Sequence, residues 1–422
     1  MEEENLIIKK EGLAQFYIYS ADSDSIPSKS MNVFYNKKME INRDISNLAI
    51  IAYSILYNQD KLIVVDSMSA SGISSIRMIK ECNNIKKIFI NDINPLAVDL
   101  IKKNVKLNNL NNLPIQVEIS EKDANLLFSE LAQISYKNLN KREKKPNIIS
   151  IDPFGTPNRY VDSAFKAIQR ENGFLCITAT DTAVLFGTRP NACIRKYLSK
   201  PLHTEYCKEI GARILICFAS RIANINKLGI VPLLTFYSNH FIRIFILTFK
   251  DKKKISKSFK NYGFIIHCKC GFRTISDSNV LDLNLECPIC GNNEKIDYAG
   301  PLWLDKLHDE RFVKEILDLN EKFNLKNKKR INKLLNLALA EINMPISYYN
   351  VHKLTQKLKL PFVPKLEKLI AAIKEKGYET SRTHFDFLSI KSNIDINSIK
   401  TILLEIQNQL QFKKYVKKPE GS

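Results

Sequence analysis

The sequence predicts an α/β protein: an open sheet that carries the ligand site, then a small Cys-bearing ribbon, then a module of short helices and strands. Three observations lead there. Four segments, Leu62-Ile63-Val64-Val65, Ile88-Phe89-Ile90, Ile115–Ile119 and the apolar run Ile148–Ile151, read as strands, the last of them buried, and each leads to an acidic residue: Asp66, Asp92, Asp123 and Asp152. The segment after Asp92 places Leu96, Leu100 and Leu107 on one helical stripe, as a helix covering a sheet requires. Two Cys pairs, each followed by Gly, stand at 268–271 and 287–291.

Composition sets the setting. The chain has 422 residues, enough for two or three domains with their own cores, and a formal net charge of +20, which points to a polyanionic partner. Its nine Cys are mostly single and embedded in apolar runs, so a reducing compartment, the cytoplasm, is expected. There is no run of about 18 apolar residues, and the opening Met-Glu-Glu-Glu-Asn has no basic start. A soluble protein without a membrane span or signal peptide is therefore expected, acting as a monomer.

In chain order, the first marked stretch is Phe34-Tyr35-Asn36 with Met39–Asp44, read as a loop entering an apolar helix from Ile45 to Leu56. Arg43 there is either an exposed charge or, beside a cofactor pocket, a clamp for a carboxylate. After the strand ending at Asp66 comes the small-residue loop Ser67–Gly72, with a helix from Ile73. Small residues allow close backbone approach, and a helix start offers free N–H groups. With one Gly, the loop lacks the dinucleotide G-x-G-x-x-G pattern. Asp92 follows Gly72 by twenty residues, where a carboxylate grips ribose hydroxyls in such sheets, and Asp123 is placed to accept from an adenine amino group.

The fourth strand ends in Asp152-Pro153-Phe154-Gly155. In an open α/β sheet ligands bind at that edge. An exocyclic amine of a base is a poor nucleophile because its lone pair is delocalised into the ring. The Asp152 carboxylate and the Pro153 carbonyl would accept its N–H bonds and turn the lone pair toward a methyl donor, while Phe154 offers a stacking face. An Asp-Pro turn that merely closes a strand would look the same in isolation. Together these features favour S-adenosylmethionine over a nicotinamide cofactor. Cys176 reads as a buried strand residue, which gives no support to a covalent cysteine mechanism.

Downstream, Phe241–Phe249 reads as a closing strand and Lys250–Lys254 as a linker. Cys268-x-Cys270 and Cys287-x-x-Cys290, sixteen residues apart, suit a structural zinc site of four thiolates. The first pair is one residue short of the usual spacing, and His267 offers a fallback ligand. Residues 301–422 carry 23 basic and 14 acidic residues, including Lys326, Lys328, Lys329 and Arg330. Helices are predicted from Trp303 to Phe323 and at 331–341, 350–359 and 363–376, then a turn into strand over Gly377–Phe385. Helices followed by strand suggest a winged-helix-like module facing nucleic acid.

Phe34-Tyr35-Asn36, Met39–Asp44, Ser69–Gly72 through Arg77, Asn91–Pro95 and Asp152–Gly155 together resemble the tRNA (guanine-26-N2)-dimethyltransferases of archaeal type, and the likeness runs over nearly the whole chain. That resemblance implies a Rossmann-like S-adenosylmethionine-dependent methyltransferase domain, contacts to the cofactor from Arg43, Arg77, Asp92, Asp123 and Ala124, and tRNA as partner. It also implies Asp152 and Phe154 in the target-base pocket, with Phe34, grouped here with the cofactor-binding residues, assisting. Asp66 joins this set from its strand end. The expected layout is a methyltransferase domain over 1–250, a zinc ribbon over 251–300 and a tRNA-binding domain over 301–422. Two alternatives remain at this point: another exocyclic-amine methyltransferase, for ribosomal guanine N2 or DNA adenine N6, and a non-enzymatic zinc-containing nucleic-acid binder.

Overall fold

The computed structural model describes residues 6–22, 31–137, 144–277 and 286–416; the polar stretch 23–28 lies outside them. The chain forms two compact units, each assembled from three separated segments: Met1–Thr182, Phe218–Phe259 and Leu307–Lys333 in one, Ala183–Cys217, Lys260–Lys306 and Leu334–Ser422 in the other.

The first unit opens with a hairpin, β1 (Leu6–Glu11) and β2 (Ala14–Tyr19), followed by α1 (Glu40–Leu56). Then strands and helices alternate: β3 (Leu62–Asp66), α2 (Ile73–Glu81), β4 (Ile85–Asp92), α3 (Pro95–Leu107), β5 (Gln116–Glu121), α4 (Ala124–Lys137), β6 (Ile148–Ile151), α5 (Asn158–Ala167) and β7 (Phe174–Ala179). Two further strands, β8 (Gly229–Ser238) and β9 (Phe241–Phe249), complete a seven-stranded sheet in the order β5-β4-β3-β6-β7-β9-β8. The first five are parallel, and β9 runs antiparallel to both its neighbours. Every residue of β6 and β7 is buried, which is why these strands read as continuous apolar runs rather than alternating ones. The chain moves outward from β3 to β5 and then returns to start β6 on the opposite side of β3. That reversal opens a crevice at the carboxyl ends of β3 and β6, the ligand position of doubly wound sheets.

Three local predictions are revised. Asn36 caps a 3-10 turn (Lys37–Met39) that leads into a helix at Glu40, so Arg43 and Asp44 lie inside α1 rather than at its entry. The predicted linker Lys250–Lys254 runs into a helix, Lys252–Ser258, because Asp251 accepts hydrogen bonds from the Lys253 and Lys254 amides. Trp303 ends a strand (Ile296–Trp303), and the helix predicted from it begins only at Glu310, capped by Asp309.

In the second unit, Tyr262–Cys268 is the central strand of an antiparallel three-stranded sheet, flanked by Arg273–Ser276 and Ile296–Trp303. A second small sheet places Ser389–Ser392 between Tyr349–Asn350 and Thr380–Arg382. Helices Val351–Lys357, Leu366–Glu375 and Ile396–Val416 cover it through Val351, Leu354, Leu369, Ile373, Ile390 and Ile399. The last of these helices falls where no element is predicted. Its buried Ile396, Ile399, Leu403 and Ile406 recur every three or four residues, a helical stripe that the sequence does carry.

A buried ion cluster ties the hairpin, α1 and α2 together. Arg77, fully buried on α2, donates to Glu11 at 2.9 Å, Asp44 at 2.6 Å and Glu81 at 2.9 Å. Burial alone would push its guanidinium down, but the bonds and charges of Glu81, Asp44 and Glu11 outweigh that and hold it above its ordinary range. Arg43 closes the other side of Glu11 with two bonds of 2.6 Å. The hairpin turn rests on this cluster: a Cβ at Gly12, whose φ is +53°, would fall 2.1 Å from Glu81 Oε1. Arg77→Met keeps the packing volume but leaves three carboxylates facing one another. It should lower stability by about 3–5 kcal/mol, read as a reduced urea midpoint with an unchanged slope.

Candidate active site at the carboxyl ends of the parallel strands

The loop after β3 is held open by its own hydrogen bonds. Ser69 Oγ donates to the Asp66 carbonyl at 2.9 Å, the Gly72 amide to the Ser69 carbonyl at 2.8 Å, and Ser67 Oγ to the Ser150 carbonyl of β6 at 2.7 Å. Gly72 has φ +75° and lies so close to Ile101 of α3 that a Cβ would approach Ile101 Cγ1 to 3.0 Å, so this turn requires Gly. Asp92 ends β4 and accepts from the Ala70 amide at 2.8 Å through one oxygen and from the Asn94 amide at 2.9 Å through the other. Each oxygen retains a lone pair for a ligand hydroxyl. Burial raises this carboxyl, against those same amides. Asn91, fully buried beside it, donates to the carbonyls of Ser67 and Lys122, stitching the loop after β3 to the end of β5. Asp123 caps α4 by accepting from the Asn125 amide at 2.8 Å; it is exposed, whereas Ala124 is buried.

Across the crevice, Asp152 is half-buried and Phe154 is 49% exposed. Phe34 packs edge-on against Phe154, with centroids 4.6 Å apart and planes at 83°. Phe34 is placed by its neighbour Val33, which is buried against Ala97 and Leu100, and by Asn94, whose side-chain amide donates to the Asn32 carbonyl. The turn after Asp152 is clipped to the end of β7 because the Gly155 amide donates to Thr180 Oγ1 at 2.7 Å. Pro153 is buried, as a turn closing a strand would have it.

The strand-end acids therefore do not share one environment. Asp66 is buried and accepts from Ser75 Oγ at 2.6 Å; burial first, then the charge of Asp152, raises it to about 6, against Ser75, Ser69 and Arg243. Burial also raises Asp152, against Arg243, the Thr178 hydroxyl and Arg43. Of the two arginines expected at the cofactor, Arg77 sits fully buried with its guanidinium bonded to carboxylates. Arg43 uses Nε and Nη2 on Glu11 and the Asn36 carbonyl, and its Nη1 makes no hydrogen bond among the described residues. Sequence reasoning missed Glu11 and Arg243, and marked Asn91 only as part of the Asn91–Pro95 motif. A signal existed for Arg243, a single charge inside an apolar strand, and Glu81 stood at i+4 from Arg77.

In the second unit the four cysteines come together. Cys268 and Cys290 sulfurs are 3.7 Å apart, Cys270 and Cys287 sulfurs 3.6 Å, and all four lie within 4.8 Å of one another. His267 is turned away, its Nδ1 bonded to the Tyr206 hydroxyl at 2.9 Å. The basic residues predicted near 328 are partly engaged within the first unit: Lys328 pairs with Glu321 at 3.0 Å, and Arg330 donates to Ser238 and Asn239.

The raised Asp66 carboxyl has a stability consequence of definite sign. Between its ordinary value of 3.8 and about 6 the folded chain binds more protons than the unfolded one, so Asp66 costs stability increasingly as pH rises through that window. Asp66→Asn should leave stability near pH 4 little changed and raise it at pH 7 by on the order of 1–3 kcal/mol. Denaturant unfolding of both chains at the two pH values checks this; a difference that does not grow with pH refutes it.

Known proteins bear on this geometry. A family model described as N2,N2-dimethylguanosine tRNA methyltransferase matches residues 14–404. The tRNA (guanine(26)-N(2))-dimethyltransferase of Methanosphaera stadtmanae is 36% identical over 401 residues, covering 95% of this chain and 97% of its own. That of Methanocaldococcus jannaschii is 32% identical, covering 93% of this chain and 97% of its own. The solved structure of Trm1 from Pyrococcus horikoshii with S-adenosyl-L-methionine superposes with a TM-score of 0.78 at 31% identity, covering 94% of this chain and 99% of that one. A seven-stranded, mostly parallel sheet with its acidic strand ends on one crevice, matched over nearly its full length, makes this chain a member of the N2,N2-dimethylguanosine tRNA methyltransferase family.

Proposed function

We infer that the chain transfers methyl groups from S-adenosylmethionine to the exocyclic N2 amine of guanine 26 in tRNA. The carrying observation is Asp152-Pro153-Phe154 at the end of β6, beside the loop of β3, in a chain matched by the family over residues 14–404. That breadth sets aside both an inert nucleic-acid binder and a DNA adenine methylase. The cofactor fits the first half of the crevice: a Gly-dependent open loop, the spare lone pairs of Asp92 for ribose hydroxyls, exposed Asp123 for the adenine amine with Ala124 beneath it, Asp66 at the end of β3, and Arg43 Nη1 for the carboxylate. Arg77 serves this set by holding Glu11, and through it Arg43, in place. When bound, the cofactor supplies a sulfonium methyl whose bonding pair stays on sulfur as the methyl passes to N2.

The chain's own residues do the rest. Asp152 and the Pro153 carbonyl accept the N2–H bonds and direct the nitrogen lone pair at the methyl, and the Asp152 carboxylate takes the proton that N2 loses. Phe154, braced edge-on by Phe34, stacks on the base once it has turned out of the helix. Alignment of two reactants can contribute roughly 7–11 kcal/mol, so orientation accounts for most of what is asked of the protein. Asp152→Ala should reduce methyl transfer to bulk unmodified tRNA more than tenfold, a loss above about 1.4 kcal/mol, and leave cofactor affinity within a factor of two or three. Labelled transfer followed by nucleoside digestion measures the rate and identifies the product. Label in an adenine nucleoside, or a variant that keeps its rate, refutes the assignment.

We further propose a structural zinc ion on Cys268, Cys270, Cys287 and Cys290. A tetrahedron with Zn–S of about 2.3 Å has edges near 3.8 Å, which the sulfur separations of 3.7 and 3.6 Å approach. The C-x-C pair supports this as well as C-x-x-C would, because Cys268 ends its strand and Gly271, at φ +110°, turns the chain back beneath the metal position. In chain order, a methyltransferase domain over 1–250 is then followed by a zinc ribbon over 251–300 and a winged-helix-like, basic domain over 301–422 that holds the tRNA body, in a cytoplasmic monomer. Elemental analysis should find about one zinc per chain, and Cys287→Ser should abolish it and expose the ribbon to proteolysis. Metal-free protein prepared without chelators overturns the site.

A further inference from the structure

Arg243 is the one charge in the strand Phe241–Phe249 and is only 2% exposed. A buried guanidinium is normally matched by a carboxylate in contact. Here the hydrogen bonds go to Thr178 Oγ1 at 2.5 Å, to Ser46 Oγ and Ser150 Oγ at 3.3 Å each, and to the Cys176 thiol, while Nε has no partner among the described residues. Its countercharges act through space: Asp66 at the end of β3 and Asp152 at the end of β6. A cation kept out of water with hydroxyl and thiol partners but no carboxylate in contact among the described residues, near two strand-end carboxylates, is placed for its field rather than for packing.

The bond to Thr178 carries a second consequence. Arg243 and Thr178 are direct cross-strand partners in the β7–β9 register. An arginine can only donate, so Thr178 Oγ1 must accept from it and is left to donate its own hydrogen elsewhere. The β6–β7 register pairs Ile151 with Ile177, which sets Asp152 level with Thr178, and the Thr178 hydroxyl favours the charged form of the Asp152 carboxylate. The arrangement runs from Arg243 through Thr178 to Asp152 and on to the place where the base amine would lie.

We propose that Arg243 is a positioning residue for methyl transfer: it fixes the Thr178 hydroxyl as a donor to Asp152, which aims the carboxylate, and its charge keeps that carboxylate an acceptor for the guanine amine. This rests on Asp152 being the amine's acceptor. The ionisable groups that face Asp152 are Asp66 from β3, which disfavours its charge, and Arg243 from β9 and Arg43 from α1, which favour it; Thr178 from β7 adds its hydrogen bond. Removing Arg243 therefore removes the largest of the favourable influences, and an opposite charge at this range typically moves a carboxyl by about one unit or more.

The test compares wild type with Arg243→Met, Arg243→Lys and Thr178→Val in single-turnover transfer to tRNA across pH 5.5 to 9. The ligand-free titration of Asp152 is followed alongside, through the carboxyl carbon signal that Asp152→Asn removes. In Arg243→Met the acid limb of the rate and the Asp152 titration midpoint should both move up by about one pH unit, so the rate below the limb falls roughly tenfold. Arg243→Lys, which keeps the charge, should hold both midpoints near wild type, and Thr178→Val should slow transfer and shift them upward by a smaller amount. Cofactor affinity should be unchanged throughout. Should Arg243→Met fail to fold, Thr178→Val carries the test, since it leaves the buried charge in place. Unshifted midpoints in a folded Arg243→Met chain, or wild-type rate and titration in Thr178→Val, overturn the proposal while wild-type transfer to guanine stands. A wild-type chain without guanine transfer overturns the reading beneath it as well.

Discussion

The buried guanidinium of Arg77 is the constraint on which the front half of the molecule depends. It takes a carboxylate from each of three elements, Glu11 from the hairpin, Asp44 from α1 and Glu81 from its own helix. In water these pairs would be worth little, but away from it an unmatched member is costly, so the three elements have one mutual arrangement in which every charge is answered. The consequences reach the crevice. The hairpin turn is seated on Arg77 and Glu81, Glu11 holds Arg43, and α2, on which Arg77 stands, begins directly after the loop that follows β3. Arg77, expected at the cofactor, has its guanidinium committed to these carboxylates.

A second tier of order lies at the strand ends. The Asn91 amide donates to the Ser67 and Lys122 carbonyls and Asp92 accepts from the Ala70 amide, which ties the loop after β3 to the ends of β4 and β5. Asp66 and Asp152 repel one another, and withdrawal from water raises both, whereas the proposed role of Asp152 calls for a carboxylate. Arg243 answers this from below. The sheet supplies a cation at the point where two acids converge, at a distance that tempers their charge without tying up their oxygens.

The thiol cluster of the second unit obeys a different logic. Beside the buried Ile265, Ile266, Leu302 and Trp303 of its sheet, four sulfurs gathered within 4.8 Å are an arrangement that close packing alone would not favour. A bound cation would convert that crowding into cohesion.

Much of this architecture is encoded in local pattern. Strands β6 and β7 show in the sequence as unbroken apolar runs because both their faces are buried, and the end of β6 shows because Asp, Pro and Gly stop its run abruptly. The order of the strand ends is enough to put Asp66, Asp92, Asp123 and Asp152 on one edge, and the Cys spacing is enough to mark four sulfurs that do meet. Which charges face water and which face each other is decided only in three dimensions. Arg43 and Arg77 read alike along the chain, yet one keeps a guanidinium nitrogen clear and the other is wholly buried. Glu11 lies 66 residues from Arg77, and Arg243 lies 65 residues from Thr178 and 93 from Ser150. Pairings over such distances are set by sheet order and strand register, and an ion's worth is set by how much water remains around it. Neither quantity is written in the neighbours of a residue along the chain.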